Sequence, residues 1–306
     1  MASIQTVRGP IAPEDLGPTL IHEHLIVDFI GAEQTGPHRW QQDEVIARML
    51  PYLLEIKAQG ITGFGDCAPM FLGRDPVLLR RLSELADMHI ITNTGQYKEP
   101  HLPAYAFQLS AEELAATWIQ EWREGIGDTG IRPGFIKIAV NPGPLLPIQR
   151  KIVRAAALTH LATGLTVASH TGHAVAAQES LDIAEEVGMP LDRYIVVHAD
   201  GIPDLTDHQR LADRGAWLEY DGLGGRPLAE HLALVEAMLA YGAVDQMLLS
   251  HDAGWYHVGE PDGGSVRPFT YLMNEFVPAL RARGIGQEVI DRLLIANPAR
   301  ALTVSS

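Results

Sequence analysis

The sequence predicts an α/β chain folded as one (β/α)8 TIM barrel over residues 1–306. Three observations predict it: eight short apolar, β-rich runs, a longer helical stretch between successive runs, and no Pro/Gly/Ser linker or composition break. One polar residue closes each run: His24, Asp66, Gly95, Lys137, His170, His198, Asp221 and Asp252. They recur about every 33 residues, the length of one strand plus one crossover helix. A doubly wound open sheet is the alternative. The chemistry at the run ends favours the barrel, which gathers all eight ends around one mouth.

The runs are TLIHEHLIV (19–27), ITGFGDCAP (61–69), HIITNTGQY (89–97), PGFIKIAV (133–140), LTVASHTG (165–172), RYIVVHAD (193–200), AWLEYDG (216–222) and QMLLSHDA (246–253). Between them lie amphipathic stretches such as DEVIARMLPYLLEIKAQG, DPVLLRRLSELADMH and SAEELAATWIQEWREG. Ser110 followed by Glu113 gives the last of these a capping-box start. Gly60, Gly130, Gly164 and Gly215 fall where the chain should leave a helix or enter the next strand.

The composition, 46% hydrophobic and 20% charged, is that of a soluble globular protein. With 38 acidic and 23 basic side chains the net charge is −15, which repels phosphate backbones and anionic lipid. Nucleic acid and membrane are therefore not expected as partners, and a small-molecule substrate is. No run of eighteen apolar residues predicts a membrane span. The N-terminus lacks the apolar core of a signal peptide, and the single Cys67 cannot form an internal disulfide; both fit a cytoplasmic protein.

Thirteen histidines are present, and their positions decide their meaning. His22 and His24 in HEH share one face of a strand, about 7 Å apart, so both can reach one cation. Two polar residues at a strand edge would be the plain alternative. The apolar flanks TLI and LIV argue instead for a strand buried on both faces, whose polar groups need partners. His170 and His198 close consecutive runs, and Asp252 closes the eighth, where a carboxylate can hold a metal and accept a proton or else cap a turn. In FIKIAV, alternation sends Ile136 and Ile138 outward and Lys137 into the barrel. A bare ammonium beside two cations is strongly disfavoured, whereas a neutral amine can add carbon dioxide and become an anionic carbamate with two oxygens. His22, His24, Lys137, His170, His198 and Asp252 together read as the ligand set of a two-metal site that holds a hydroxide as nucleophile.

From LIHEHLIVD to LLIANPARAL the chain resembles the phosphotriesterase family of the amidohydrolase superfamily. HEH, IK, SH, VH and HD follow in the family's order on runs one, four, five, six and eight. The resemblance implies two divalent ions, zinc first, with cobalt, manganese or iron as alternatives. It implies His22, His24 and Asp252 on the more buried ion, His170 and His198 on the more exposed one, and a carbamate on Lys137 as the bridge. It also implies a homodimer.

Tyr97 stands where lactonase-like members carry a tyrosine beside the nucleophile, which points to a lactone or ester carbonyl; an aromatic that only packs the mouth is the plain alternative. Gly222 and Gly201 depart from the family, standing where an arginine or histidine and a second carboxylate are expected; Arg226 is the candidate replacement. The stretch 254–268, rich in glycine and aromatic residues, is expected as a long loop whose Trp255, Tyr256 and His257 wall a leaving-group pocket, or as an exposed loop only. His251 is read as structural, and His173 as a possible substrate contact. Asp66 either orients a ligand histidine or caps a turn. His38, His89, His101, His160, His208 and His231 are read as having no part in the chemistry. The expected activity is metal-assisted hydrolysis of a lactone or carboxylic ester, with Asp252 and Tyr97 as the catalytic residues. A phosphotriester is the second choice, and a barrel that binds metal without catalysis is the third reading.

Overall fold

The computed structural model describes residues 2–304. Its barrel strands are β1 (Thr19–Val27), β2 (Gly63–Asp66), β3 (His89–Ile91, continuing after a break at Thr92 as Asn93–Thr94), β4 (Phe135–Ala139), β5 (Val167–His170), β6 (Tyr194–Val197), β7 (Trp217–Tyr220) and β8 (Met247–Leu249). Neighbours pair in parallel in chain order, β1 to β3 in one ladder and β3 to β8 in the next. The ring closes after β8, where Asp252 N donates to His22 O (3.1 Å) and His24 N to Ala253 O (2.9 Å). Gly254–His257 then runs parallel to β1 as an added strand, Gly254 opposite His24. The chain thus forms the expected (β/α)8 barrel.

Alternation along the strands sorts the side chains into two apolar layers. Ile21, Ile91, Phe135, Ile195, Trp217 and Leu248 fill the barrel interior in one cluster. Ile136, Ile138, Val167, Val196 and Leu218 belong to a separate cluster, packed against the surrounding helices. β1 is buried along its whole length, as its apolar flanks imply. A hairpin of Ile4–Thr6 and Gly9–Ile11 lies at the other end from the site; Val7 N donates to Ile90 O, and Ser3 pairs with Val304. The helices between strands include α1 (Gln42–Ala58), α2 (Pro76–Ala86), α3 (Ala104–Gln108), α4 (Ala111–Glu124), α5 (Pro147–Thr163), α6 (Ala174–Val187), α7 (Leu205–Asp213) and α8 (Leu228–Tyr241). The capping box on α4 is formed: Ser110 Oγ accepts from Glu113 N (3.1 Å), and Glu113 Oε2 accepts from Ser110 N (2.8 Å). Among the described residues no helix is long and apolar enough to cross a membrane.

The stretch 254–268 is not simply a long loop. Gly254 allows the added strand: with φ +93°, a Cβ there would stand 2.0 Å from His24 O. Arg267 returns to pair with it, N to O at 2.9 Å.

Asp66, behind the site, accepts from Leu25 N (2.9 Å) and Ala68 N (3.3 Å), so it ties β2 to β1 and caps the turn rather than holding a histidine. Burial pushes its carboxyl up to about 7. Between pH 4 and that value the folded chain holds a proton that the unfolded chain has released. Stability should therefore fall as pH rises through this window, by at most about 4 kcal/mol, and level off above it. Urea melts across the window should show that slope shrinking in Asp66→Asn.

Candidate metal centre

Two backbone features place the site residues. His22 and His24 stand on one face of β1, and Lys137 on β4 pairs across to Ala168, two residues before His170. His198 and Asp252 come just after their strands, and both adopt left-handed backbone, φ 58° and 51°. Left-handed backbone at non-glycine residues costs about 1–3 kcal/mol and gathers at functional sites.

The side chains converge in two groups. Asp252 Oδ1 lies 2.9 Å from His24 Nε2 and 3.5 Å from His22 Nε2. His22 Nε2 also faces Lys137 Nζ at 3.3 Å. On the other side His170 Nδ1 meets His198 Nε2 at 2.8 Å and the Tyr97 hydroxyl at 3.2 Å. All six predicted ligands are therefore brought together at one end of the barrel.

Asp221, which the sequence shows only as the end of run seven, holds two of the rings. Its carboxylate oxygens lie 2.8 Å from His22 Nδ1 and 2.7 Å from His198 Nδ1. His22 Nδ1 is also 2.5 Å from Glu219. Although Asp221, His22 and His198 are close enough to share an ion, these are hydrogen-bond distances to Nδ1. We therefore read Asp221 as the group that orients both rings and leaves their Nε2 atoms free for a cation.

The electrostatics fit a metal. Burial would push the Asp221 carboxyl up, but His198 and His22 hold it well below the usual range; burial pushes Glu219 up to about 7. Burial opposes protonation of His22, yet Cys67, Glu219 and Asp221 raise it well above the ordinary imidazole value. Of these the carboxylates count, because burial pushes the Cys67 thiol up and keeps it neutral. His22 thus lies in an anionic setting that attracts a positive charge, which a proton or a metal ion can supply. Burial, then the neighbouring His198 and Lys98, lower His170, which keeps a neutral ring suited to metal. Among the described residues the buried Asp252 Oδ1 has no hydrogen-bond partner of acceptable geometry, so it too has a free lone pair.

A cavity of about 320 Å³ opens over this centre, lined by His170, His198, Asp221, Asp252, Arg226 and Arg267 among others. Aromatic rings wall another side. Trp255 packs on His24 (ring centroids 5.0 Å apart) and stacks on Phe29 (5.4 Å); Phe29 meets His101 (5.4 Å), and His101 meets Tyr97 (6.0 Å). Tyr256 is not part of this wall. The added strand turns it to the other side, into a separate cavity with Glu44 and Arg48 of α1.

Arg226 lines the cavity, with Nη1 donating to Asp200 O at 2.6 Å. His173 Nδ1 accepts from Gly143 N (3.1 Å). His251 is structural: Nδ1 lies 2.6 Å from Glu23 Oε1, and Nε2 accepts from Leu272 N (2.8 Å). Lys98, which the sequence reading passed over, puts Nζ 2.9 Å from His170 Nε2; its place directly after Tyr97 was the available signal. His101 and His231, expected to take no part in the chemistry, lie beside the site: the first joins the aromatic wall and the second pairs with Asp200 Oδ2 at 2.7 Å.

Gly222 stands directly against the Asp200 carboxylate. A Cβ there would stand 2.3 Å from Asp200 Oδ2, so the Asp200 carboxylate fills the space that a larger residue would take. Gly222→Ala should displace that carboxylate and lower stability by about 1–3 kcal/mol, read from the thermal midpoint.

A sequence model of the phosphotriesterase family matches residues 2–302. A phosphotriesterase homology protein of Mycobacterium tuberculosis is 30% identical, with 98% of this chain and 97% of that protein aligned. An N-acetyltaurine hydrolase of Mus musculus is 28% identical, over 98% and 97%. Among solved structures, an organophosphorus hydrolase from Deinococcus radiodurans superposes with a TM-score of 0.88 at 29% identity, covering 98% of this chain and 96% of that one.

Proposed function

Because the chain belongs to the phosphotriesterase family, we propose that it is a binuclear metal-dependent hydrolase of ester-like bonds, acting on a lactone or carboxylic ester. His22, His24 and Asp252 would hold one ion, His170 and His198 the other, with a carbamate on Lys137 between them. When bound, two divalent ions, zinc first and cobalt, manganese or iron in its place, would supply hydroxide near neutral pH and polarise the substrate oxygen. The chain's own residues do the rest. Asp252 Oδ1, with its free lone pair, receives the proton of the attacking water. Burial pushes the Tyr97 phenol up, so it stays an O–H donor and can orient a carbonyl or assist the leaving oxygen. Asp221 and Glu219 keep His22 oriented, and Trp255 and Phe29 shield one side of the reacting group from water.

The observation that carries the lactone or ester reading is Tyr97 itself, its hydroxyl 3.2 Å from His170 Nδ1 at the edge of the centre. A phosphotriester is the second reading, supported by the likeness to an organophosphorus hydrolase. The test is a panel of lactones, aryl esters, N-acyl amides and phosphotriesters with metal-loaded protein. Lactone or ester turnover at least about tenfold above the rest is expected. Turnover confined to phosphotriesters or amides removes the substrate assignment, and no turnover of any class removes the hydrolase reading.

A further inference from the structure

A second chamber adjoins the mouth. A cleft of about 390 Å³ opens between α7 and α8, and Asp200 and Arg226 line both it and the cavity over the metal centre. Ile202, Leu205, Leu234 and Ala237 make its wall apolar. The junction is held in place: Asp200 Oδ2 accepts from Gly222 N (2.9 Å) and faces His231 Nε2 (2.7 Å), while Arg226 donates to Asp200 O (2.6 Å). Because a carboxylate accepts at Nε2, that nitrogen carries the proton in the neutral ring, and Nδ1 keeps a lone pair. His231 lines the cleft and is only 2% exposed, and among the described residues its buried Nδ1 has no partner. A buried acceptor left without a donor is costly, and it marks a place where a donor belongs.

We propose that this cleft is the subsite for the distal part of the substrate: an apolar chain that carries one N–H or O–H donor for His231 Nδ1. The chain runs past Arg226, with the reacting group at the mouth. The proposal rests on the hydrolase reading of the metal centre. Sequence reading could not find it, because the cleft joins α7, α8 and the turn after β6 only in the folded chain.

The probe is a series of N-alkylacetamides from ethyl to octyl, measured by isothermal titration calorimetry on the full chain. Affinity should rise roughly fourfold per methylene until the cleft is filled. Ala237→Phe, which fills the cleft from a half-buried position, should cost about tenfold or more for the octyl probe, the worth of two lost methylenes. His231→Phe should remove the preference for N-octylacetamide over its N-methylated form, which has no donor. Binding that ignores chain length, or wild-type octyl affinity in Ala237→Phe, overturns the subsite. Matched esters of rising chain length separate the two claims. Probe binding without turnover of any ester leaves the cleft supported and ends the hydrolase reading. Ester turnover whose KM ignores chain length ends the cleft proposal and leaves the hydrolase reading in place.

Discussion

Asp252→Asn should leave the barrel folded and lower ester turnover by about 10²–10⁴-fold. The backbone at residue 252 is left-handed, φ 51°, and its N–H closes the ring on His22 O at 3.1 Å. Asparagine tolerates that backbone and keeps both the N–H and the side-chain volume, so the closure survives. What the variant loses is the negative charge 2.9 Å from His24 Nε2 and the oxygen that takes up a proton. The amide offers a weaker ligand and no base. The measurements are kcat, metal content and the thermal midpoint, made together. A large fall in kcat with the midpoint nearly unchanged is expected, and metal content shows how much of the loss reflects ligation. Activity within a few-fold of the wild type would remove Asp252 from its assigned role.

How far the sequence carried the reading differs between strand interiors and connections. FIKIAV was legible because alternation is a backbone property: with Ile136 and Ile138 in the helix-facing layer, Lys137 has one direction left. HEH was legible for the same reason, since β1 is buried from end to end. Strand ends were less so. Except for the first, the runs pass the C-terminal ends of their strands by one to four residues, and His198 and Asp252 sit in left-handed backbone beyond them, a conformation that neither residue type announces. The loop reading of 254–268 missed the added strand. Once Gly254–His257 pairs with β1, alternation sends Trp255 to His24 and Tyr256 to α1. Groups held by long-range packing were not legible at all. Asp200 meets His231 across 31 residues of sequence, and that contact depends on how α8 docks. The glycine at 222, a departure from the family's pattern, leaves the space that the Asp200 carboxylate occupies.

Lys137→Met should keep the fold and lose the second metal ion. Lys137 is 2% exposed, and its one polar contact among the described residues is His22 Nε2 at 3.3 Å. A buried ammonium with no carboxylate beside it is costly, so replacing it with an apolar chain of similar length should cost little or even stabilise the fold. The carbamate proposal turns that odd amine into the anion that two cations need. It therefore makes a demand that a plain buried lysine does not: metal uptake by stripped wild-type protein should depend on added bicarbonate, and Lys137→Met should not respond to it. Carbon-13 bicarbonate should give a carbamate carbonyl signal in metal-loaded wild-type protein and none in the variant. Metal content should fall in Lys137→Met from two ions per chain to one or fewer, while the thermal midpoint of the metal-free protein stays near the wild-type value. Equal metal content in the two proteins, or no carbon dioxide bound at Lys137 when metal is present, would leave the lysine as a buried amine and the metal centre without its bridge.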